Sequence, residues 1–198
     1  MRKWLDKEYP EIARRAREEG AEIHWGDETG LSTNDVHGRG YAPKSKTPVV
    51  RVTQWRESVG IISMVTNQGK LRWKLFKGAM HTDILINFFQ RLIRDANRKV
   101  FLILDNLRVH HARKVKAWLA EHKTEIEVFC LSGYSSELNP DECLNANLKE
   151  GVTKLAPTRN MKALRKATIR HLRNLQNSPD WVKDTFGTNR YVMRRSNI

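Results

Sequence analysis

The stretch FLILDNLRVHH, Phe101 to His111, decides how the chain is read. With the preceding Val100 it gives an unbroken apolar run, Val100 to Leu104, which is the pattern of a strand buried on both faces, as in parallel sheets. The run ends abruptly in Asp105 and Asn106, with His110 and His111 just beyond. An unpaired charge at the edge of a core is costly, so Asp105 needs a partner that the rest of the chain must supply. In the plainer alternative, Asp105 and Asn106 form an Asx turn that only closes the strand.

Working outward from this strand, HTDILINFFQRLIRDANR places Ile84, Leu85, Phe88, Phe89, Leu92, Ile93 and Ala96 at helical spacing, with Thr82 as the expected cap. On the other side, RKVKAWLAEHK reads as a helix, IEVFCL as a strand, and LNPDECLNANLKEGV as a loop entering another helix. Upstream, SVGIISMVTNQ and KLRWKLFKG read as strands joined at Asn67-Gln68-Gly69. AEIHWGDETG alternates Ile23, Trp25 and Asp27 on one face, with a break expected at Gly30. VHGRGYAPKSKTPV reads as a loop or irregular hairpin, and KWLDKEYPEIARRAREEGAEI as a charged helix or connector running from Pro10 to near Gly20. Three strands, helix, strand, helix, strand, helix is an α/β order, most economically layered as a mixed sheet with helices on both faces.

The chain has 198 residues, 39% hydrophobic and 29% charged, which fits one soluble domain with a real core. No apolar run approaches the roughly 18 residues of a membrane span. The first 22 residues carry six basic and six acidic side chains, unlike a secretory signal or transit peptide, so a cytoplasmic protein with no membrane partner is expected. Cys130 and Cys143 form no CxxC pair and read as inert thiols.

Charge is the strongest bulk signal. Lys and Arg total 36 against 22 acids, a net +14, and the excess lies wholly beyond residue 22. Such a field attracts phosphate polymers, so nucleic acid is the expected partner. One basic region holds Arg39, Lys44, Lys46, Arg51 and Arg56, with Tyr41 and Trp55 interleaved as stacking groups. The second, Gly151 to Pro179, has seven bases and no acid. There MKALRKATIRHLRNLQN sets Met161, Leu164, Leu172 and Leu175 on one helical side, leaving Arg165, Lys166, Arg170 and Arg173 for a backbone-contacting face or a plain solvated one. Trp73, Trp118 and Trp181 read as core.

Three acids fall at comparable places: Asp27 near the end of the first strand, Asp105 at the end of the fourth, and Glu142 at the start of a late helix. Chemistry in open α/β sheets gathers at the carboxyl ends of strands, so the two aspartates meet if their strands are neighbours. Clustered carboxylates repel one another unless a cation holds them, and two Mg²⁺ or Mn²⁺ ions about 4 Å apart are a standard device for phosphoryl transfer. Each acid also has a structural alternative. Asp27 suits a turn before Gly30, and Glu142 suits a capping box behind Asn139 and Pro140, with Asp141 competing for any catalytic role.

In combination the motifs are more specific. DNLRVHH resembles the second-aspartate motif, and SGYSSELNPDECLNANLK the third-carboxylate motif, of the DDE transposases of the Tc/mariner superfamily, in particular the bacterial insertion-sequence 630 family. IHWGDETG resembles that family's first-aspartate strand and GRGYAPKSKTPVV its basic loop. The resemblance runs from about Trp4 to Lys154. It implies a ribonuclease H-like mixed five-stranded sheet with helices on both faces. Residues 1–22 would be a connector helix, 23–155 the catalytic core, and 156–198 a basic helical segment of the same domain.

The same resemblance implies that Asp27, Asp105 and Glu142 are catalytic metal ligands for Mg²⁺ or Mn²⁺, two ions in all. Glu28, Asn106 and His110 would support the site, and Arg39, Lys44, Lys46, Arg51, Arg108, His111, Lys149, Arg165, Lys166, Arg170 and Arg173 would contact DNA. Asn145 stands where many relatives have a tryptophan. The implied activity is nicking of double-stranded DNA at element ends and transfer of the freed 3′-hydroxyl to target DNA, typically at TA, by a dimer associated with the nucleoid. Nothing before Asp27 is long enough for the family's helix-turn-helix reading domain, so the alternative is a catalytically silent truncated copy that binds DNA or a full-length transposase. A further rival is another ribonuclease H-like nuclease acting on junctions or RNA–DNA hybrids.

Overall fold

The run Val100–Leu104 is a strand with every residue buried, and it is flanked on each side by a parallel neighbour. In a computed structural model that describes residues 3–35, 43–46, 54–131, 138–153 and 160–188, five strands form one sheet: β1 (Glu22–Ser32), β2 (Ser58–Val65), β3 (Leu71–Phe76), β4 (Val100–Leu104) and β5 (Ile126–Cys130). The order is β3-β2-β1-β4-β5. β1, β2 and β3 form an antiparallel meander, while β1, β4 and β5 run parallel. This is the mixed five-stranded sheet that the sequence predicts.

Six α-helices accompany it: α1 (Tyr9–Glu18), α2 (Thr82–Ala96), α3 (Arg113–Glu121), α4 (Asp141–Thr153), α5 (Met161–Gln176) and α6 (Pro179–Thr188). A π-helical turn, Trp4–Glu8, leads into α1. The period-2 alternation of the strands divides the core between the two faces. Trp25, Ile61, Phe101 and Ile103 meet apolar residues of α1, α4, α5 and α6 on one face. Ile62, Met64, Leu102 and Leu104 meet those of α2 and α3 on the other. Trp73, Trp118 and Trp181 are partly buried against these clusters. No described helix is long and apolar enough to cross a membrane.

Two local expectations are corrected. β1 does not break at Gly30: it continues to Ser32, because Gly30 pairs with Gly60 and the hairpin with β2 carries both strands past the end of β4. Thr82 is the first residue of α2 rather than its cap; His81 holds the extended N-cap position without a side-chain bond. The helix ends at Asn97, whose left-handed φ of 52° returns its N–H to Ile93. Gly69, with φ of 84°, supplies the turn between β2 and β3.

Candidate active site

Gly26 and Leu104 are the last paired residues between β1 and β4, so the next residue on each parallel strand is an aspartate, Asp27 and Asp105. The hydrophobic run therefore delivers Asp105 to a neighbouring carboxylate. Gly26 permits the close approach here, since a Cβ on it would stand 2.0 Å from Met64 Sδ. The carbonyl of Gly26 accepts from Asn139 Nδ2 at 2.9 Å, tying the loop before α4 to the same point. Asn139 Oδ1 in turn accepts the backbone N–H of Asp141 at 3.1 Å, the turn-forming role that its position suggests.

α4 begins with two adjacent acids of opposite environment. Asp141 is fully buried, and Ser63 Oγ donates to both its oxygens at 3.1 and 2.8 Å. Burial first, then the charge of Asp27, hold its carboxyl well above the ordinary range. Glu142 is exposed, and no capping-box bond from it to the amide of Asn139 is found among the described residues. The two adjacent acids thus differ physically: Asp141 is enclosed against Ser63, and Glu142 is exposed.

Asp27 accepts the N–H of Glu28 at 2.7 Å and Nδ2 of Asn145 at 2.8 Å. Its carboxyl is nevertheless pushed up to about 7, chiefly by burial, with the charges of Glu142 and Asp105 adding to it. Asp105 is raised by burial and by the charges of Glu28 and Glu142, with His110 opposing. Each acid of the trio is therefore within charge–charge range of another. Among the described residues, no three His, Cys, Asp or Glu side chains converge into a ready-made metal cage.

The donor set still suits a hard divalent cation. Its members are carboxylate oxygens, and Asp105 Oδ1 and Glu28 Oε1 are buried with no hydrogen-bond partner. A cation is the group that would relieve both the mutual repulsion and these orphaned oxygens.

His110 is buried, at 6% exposure. Its Nδ1 donates to the carbonyl of Asp105 at 2.9 Å, and its Nε2 stands 3.5 Å from Glu28 Oε1. Burial disfavours its charge, but Glu28 and Asp105 outweigh that and hold its pKa above the usual value. His111 is exposed and pairs through Nε2 with Asn106 Oδ1. Cys130 and Cys143 are half-buried free thiols, both raised by burial and then by Asp105 and Glu142 respectively.

Of the remaining basic positions, Arg108 begins the 3₁₀ turn after Asp105, Lys149 is half-buried on α4, and Lys44 and Lys46 are exposed. Lys166, Arg170 and Arg173 are exposed on α5, while Arg165 lines a groove at the β3 edge. Arg39 and Arg51 lie outside the described residues. Two partners escape the sequence reading. Ser63 carries no motif at all, whereas Asn145 lies three positions after Glu142 on α4, a spacing that would place it on the same helical face.

No curated protein sequence matches the chain. Solved structures do. The Mos1 strand transfer complex superimposes with a TM-score of 0.60 at 16% identity, covering 91% of this chain and 58% of that one. The mariner Mos1 paired-end complex with Mg gives 0.60 at 17%, covering 91% and 59%. The isolated catalytic domain of Mos1 mariner transposase gives 0.54 at 16%, covering 91% and 89%. These matches show a common ribonuclease H-like fold, and the chain spans under two thirds of the length of the Mos1 chains in the two complexes. A family model described as DDE superfamily endonuclease matches residues 22–165, a stretch that contains Asp27, Asp105 and Glu142. The chain belongs to the DDE superfamily endonucleases.

Proposed function

We propose that the chain is the catalytic domain of a DDE transposase of the Tc/mariner superfamily, from its insertion-sequence 630 branch. It would nick double-stranded DNA at element ends and join the freed 3′-hydroxyl to target DNA at TA, working as a homodimer on paired ends at the nucleoid. In this reading residues 1–22 connect, 23–155 catalyse, and 156–198 extend the same domain. The observation that carries it is the adjacency of Asp27 and Asp105 beyond the last β1–β4 pair, with Glu142 close enough to raise both carboxyls.

Asp27, Asp105 and Glu142 would hold Mg²⁺ or Mn²⁺, two ions in this proposal. Such ions, when bound, supply Lewis-acid activation of the attacking oxygen and charge stabilisation at the leaving oxygen. The chain's own residues position the reactants. His110 fixes the turn that carries Asp105 by donating to its carbonyl, and it keeps Glu28 directed inward. Asn145 and the amide of Glu28 orient the two oxygens of Asp27. Arg108, the Asn106–His111 pair, Lys149, Lys44 and Lys46 would bind phosphates, and the proposal includes Arg39 and Arg51, which lie outside the described residues. Lys166, Arg170 and Arg173 would contact the DNA backbone from α5.

Supercoiled-plasmid nicking in Mg²⁺ or Mn²⁺ tests the proposal, comparing the native chain with Asp105→Ala and Glu142→Ala. Cutting by the native chain and binding without cutting by both variants supports it. Equal binding with no cutting by any of the three replaces it with a catalytically silent DNA-binding chain. Cutting by Glu142→Ala alone among the variants moves the third ligand elsewhere, with Asp141 or Glu137, the latter outside the described residues, as the next candidate.

A further inference from the structure

β3 is an edge strand, and the space in front of it is a groove of about 450 Å³. α2 walls one side with Arg91 and Leu92, and α5 walls the other with Arg165 and Ile169. The helices belong to opposite faces of the sheet, so the groove lies in the plane where one more strand would sit. Gln176 Nε2 donates to the carbonyl of Leu71 at 3.1 Å, which identifies the outer side of the strand. By the alternation of an antiparallel ladder, Trp73 and Leu75 turn their peptide groups the same way. An edge of this kind is a template for backbone pairing.

Charge selects the occupant. Lys74, Arg91 and Arg165 line the groove against the single acid Asp95, and Arg72, also in its lining, reaches Glu22 at 3.8 Å and donates to the Asp95 carbonyl at 3.0 Å. Lys74 donates to Asn87 Oδ1 at 2.6 Å and is held below its usual pKa first by burial and then by the neighbouring charge of Arg91, with no acid paired to it among the described residues. A second copy of the same edge would set these cations against themselves. A nucleic-acid backbone would answer the cations but not the strand, because phosphodiesters carry no N–H donors for the outward carbonyls. Leu75, Leu92 and Ile169 give the groove an apolar component that suits every second side chain of an extended peptide.

We propose that the β3 edge is a docking groove for an extended acidic segment of a partner protein, which adds to the sheet as a strand beside β3. The site is distinct from the carboxylate centre and would tether or regulate the domain without occupying it. Arg91 and Arg165 recognise acidic side chains on the two sides, and the outward peptide groups of Trp73 and Leu75 set the register.

The test is a fluorescence-polarisation titration of the full chain with a fluorescein-labelled peptide of alternating glutamate and valine, in physiological salt. Native protein and the Arg91→Glu/Arg165→Glu double variant are compared, with circular dichroism showing that both are folded; the two arginines are exposed, so folding should survive. The same peptide with alternate N-methylated bonds keeps the charge but cannot pair as a strand, and an oligothymidylate of similar charge serves as competitor. Support is binding that falls about tenfold or more in the double variant and with the methylated peptide, with slowed amide exchange at Trp73 and Leu75. Equal binding of the methylated peptide, displacement by oligothymidylate with protection of the same amides, or no peptide binding overturns the proposal; the second outcome makes the groove a nucleic-acid surface.

Discussion

The two halves of β1 hold acids in opposite electrostatic states. Near its start, Glu22 is 4% exposed yet fully answered: His24 Nε2 lies 3.0 Å away, Lys70 Nζ donates at 2.5 Å, and Arg72 approaches to 3.8 Å. Burial pushes the Glu22 carboxyl up, but the bonds from His24 and Lys70 pull it down to about 2. Burial keeps His24 below its usual pKa, so Lys70 is the principal counter-charge. Five residues later Asp27 has only neutral donors as hydrogen-bond partners, has acids nearby, and rises to about 7. The fold pairs one buried carboxylate with cations and leaves the other beside like charges, the contrast expected under the proposed function, in which Asp27 takes a cation from outside the chain.

Breaking the two ends separately should give the largest contrast. Asp27→Asn should lower plasmid nicking by at least about 100-fold, the scale of removing one preorganised electrostatic group, while leaving the fold at least as stable at neutral pH, because the amide carries no charge to bury. Glu22→Gln should do the reverse: unfolding in urea should show a loss of about 2 kcal/mol from a charged hydrogen-bond network, with nicking per folded molecule retained. Equal destabilisation by the two variants would erase the distinction.

The dependence on pH sharpens the same contrast with opposite signs. Glu22 lies below its ordinary 4.5, so its contribution to stability is present above about pH 4.5 and is lost as pH falls toward 2. Asp27 lies above its ordinary 3.8, so its contribution is present below about pH 3.8 and is lost as pH rises through 7. The native stability curve should therefore rise from pH 2 to 4.5 and decline toward neutrality. Glu22→Gln should remove the acid limb and Asp27→Asn should flatten the decline, as read from urea midpoints across pH.

A divalent cation should offset part of what Asp27 loses at neutral pH. At about ten times its dissociation constant, Mg²⁺ or Mn²⁺ would add about 1.4 kcal/mol, raising the melting temperature by about 3–5 °C. The increase should persist in Glu22→Gln and vanish in Asp105→Ala. An equal shift in both would place the cation away from the carboxylates.

How much of this was legible beforehand follows from the range of each interaction. The run Val100–Leu104, the alternation in β1 and the helical spacing of α2 and α5 are local patterns, and the elements they announce are present. The adjacency of Asp27 and Asp105 required only that two strands be neighbours, which the element order favoured. Continuation of β1 past Gly30 was not legible, because it depends on pairing with Gly60, thirty residues away. Between Asp141 and Glu142 the motif resemblance favoured Glu142, but the residues themselves gave no physical reason. Adjacent acids on one helical turn look alike in sequence, and only the placement of Ser63 opposite the first of them separates a buried acid from an exposed one. The long-range hydrogen bonds that decide such questions leave no periodic trace.

Asn145 offers the finest adjustment of the contrast at β1. Its Nδ2 donates to Asp27 Oδ2, favouring the ionised form, and it is nearly fully buried, so the donor cannot be replaced freely by solvent. Asn145→Ala removes that donor without touching Glu142 or Asp105, and the pKa of Asp27 should climb further. The cost of one hydrogen bond to a charged group, about 1.5–3 kcal/mol, corresponds to about one to two units on the pH axis. Nicking by Asn145→Ala should then be reduced several-fold or more at neutral pH and recover as pH is raised, with the rising limb of its pH–rate profile displaced upward. A uniform loss at every pH would instead make Asn145 a packing residue of α4, and the tuning of Asp27 would rest on the Glu28 amide alone.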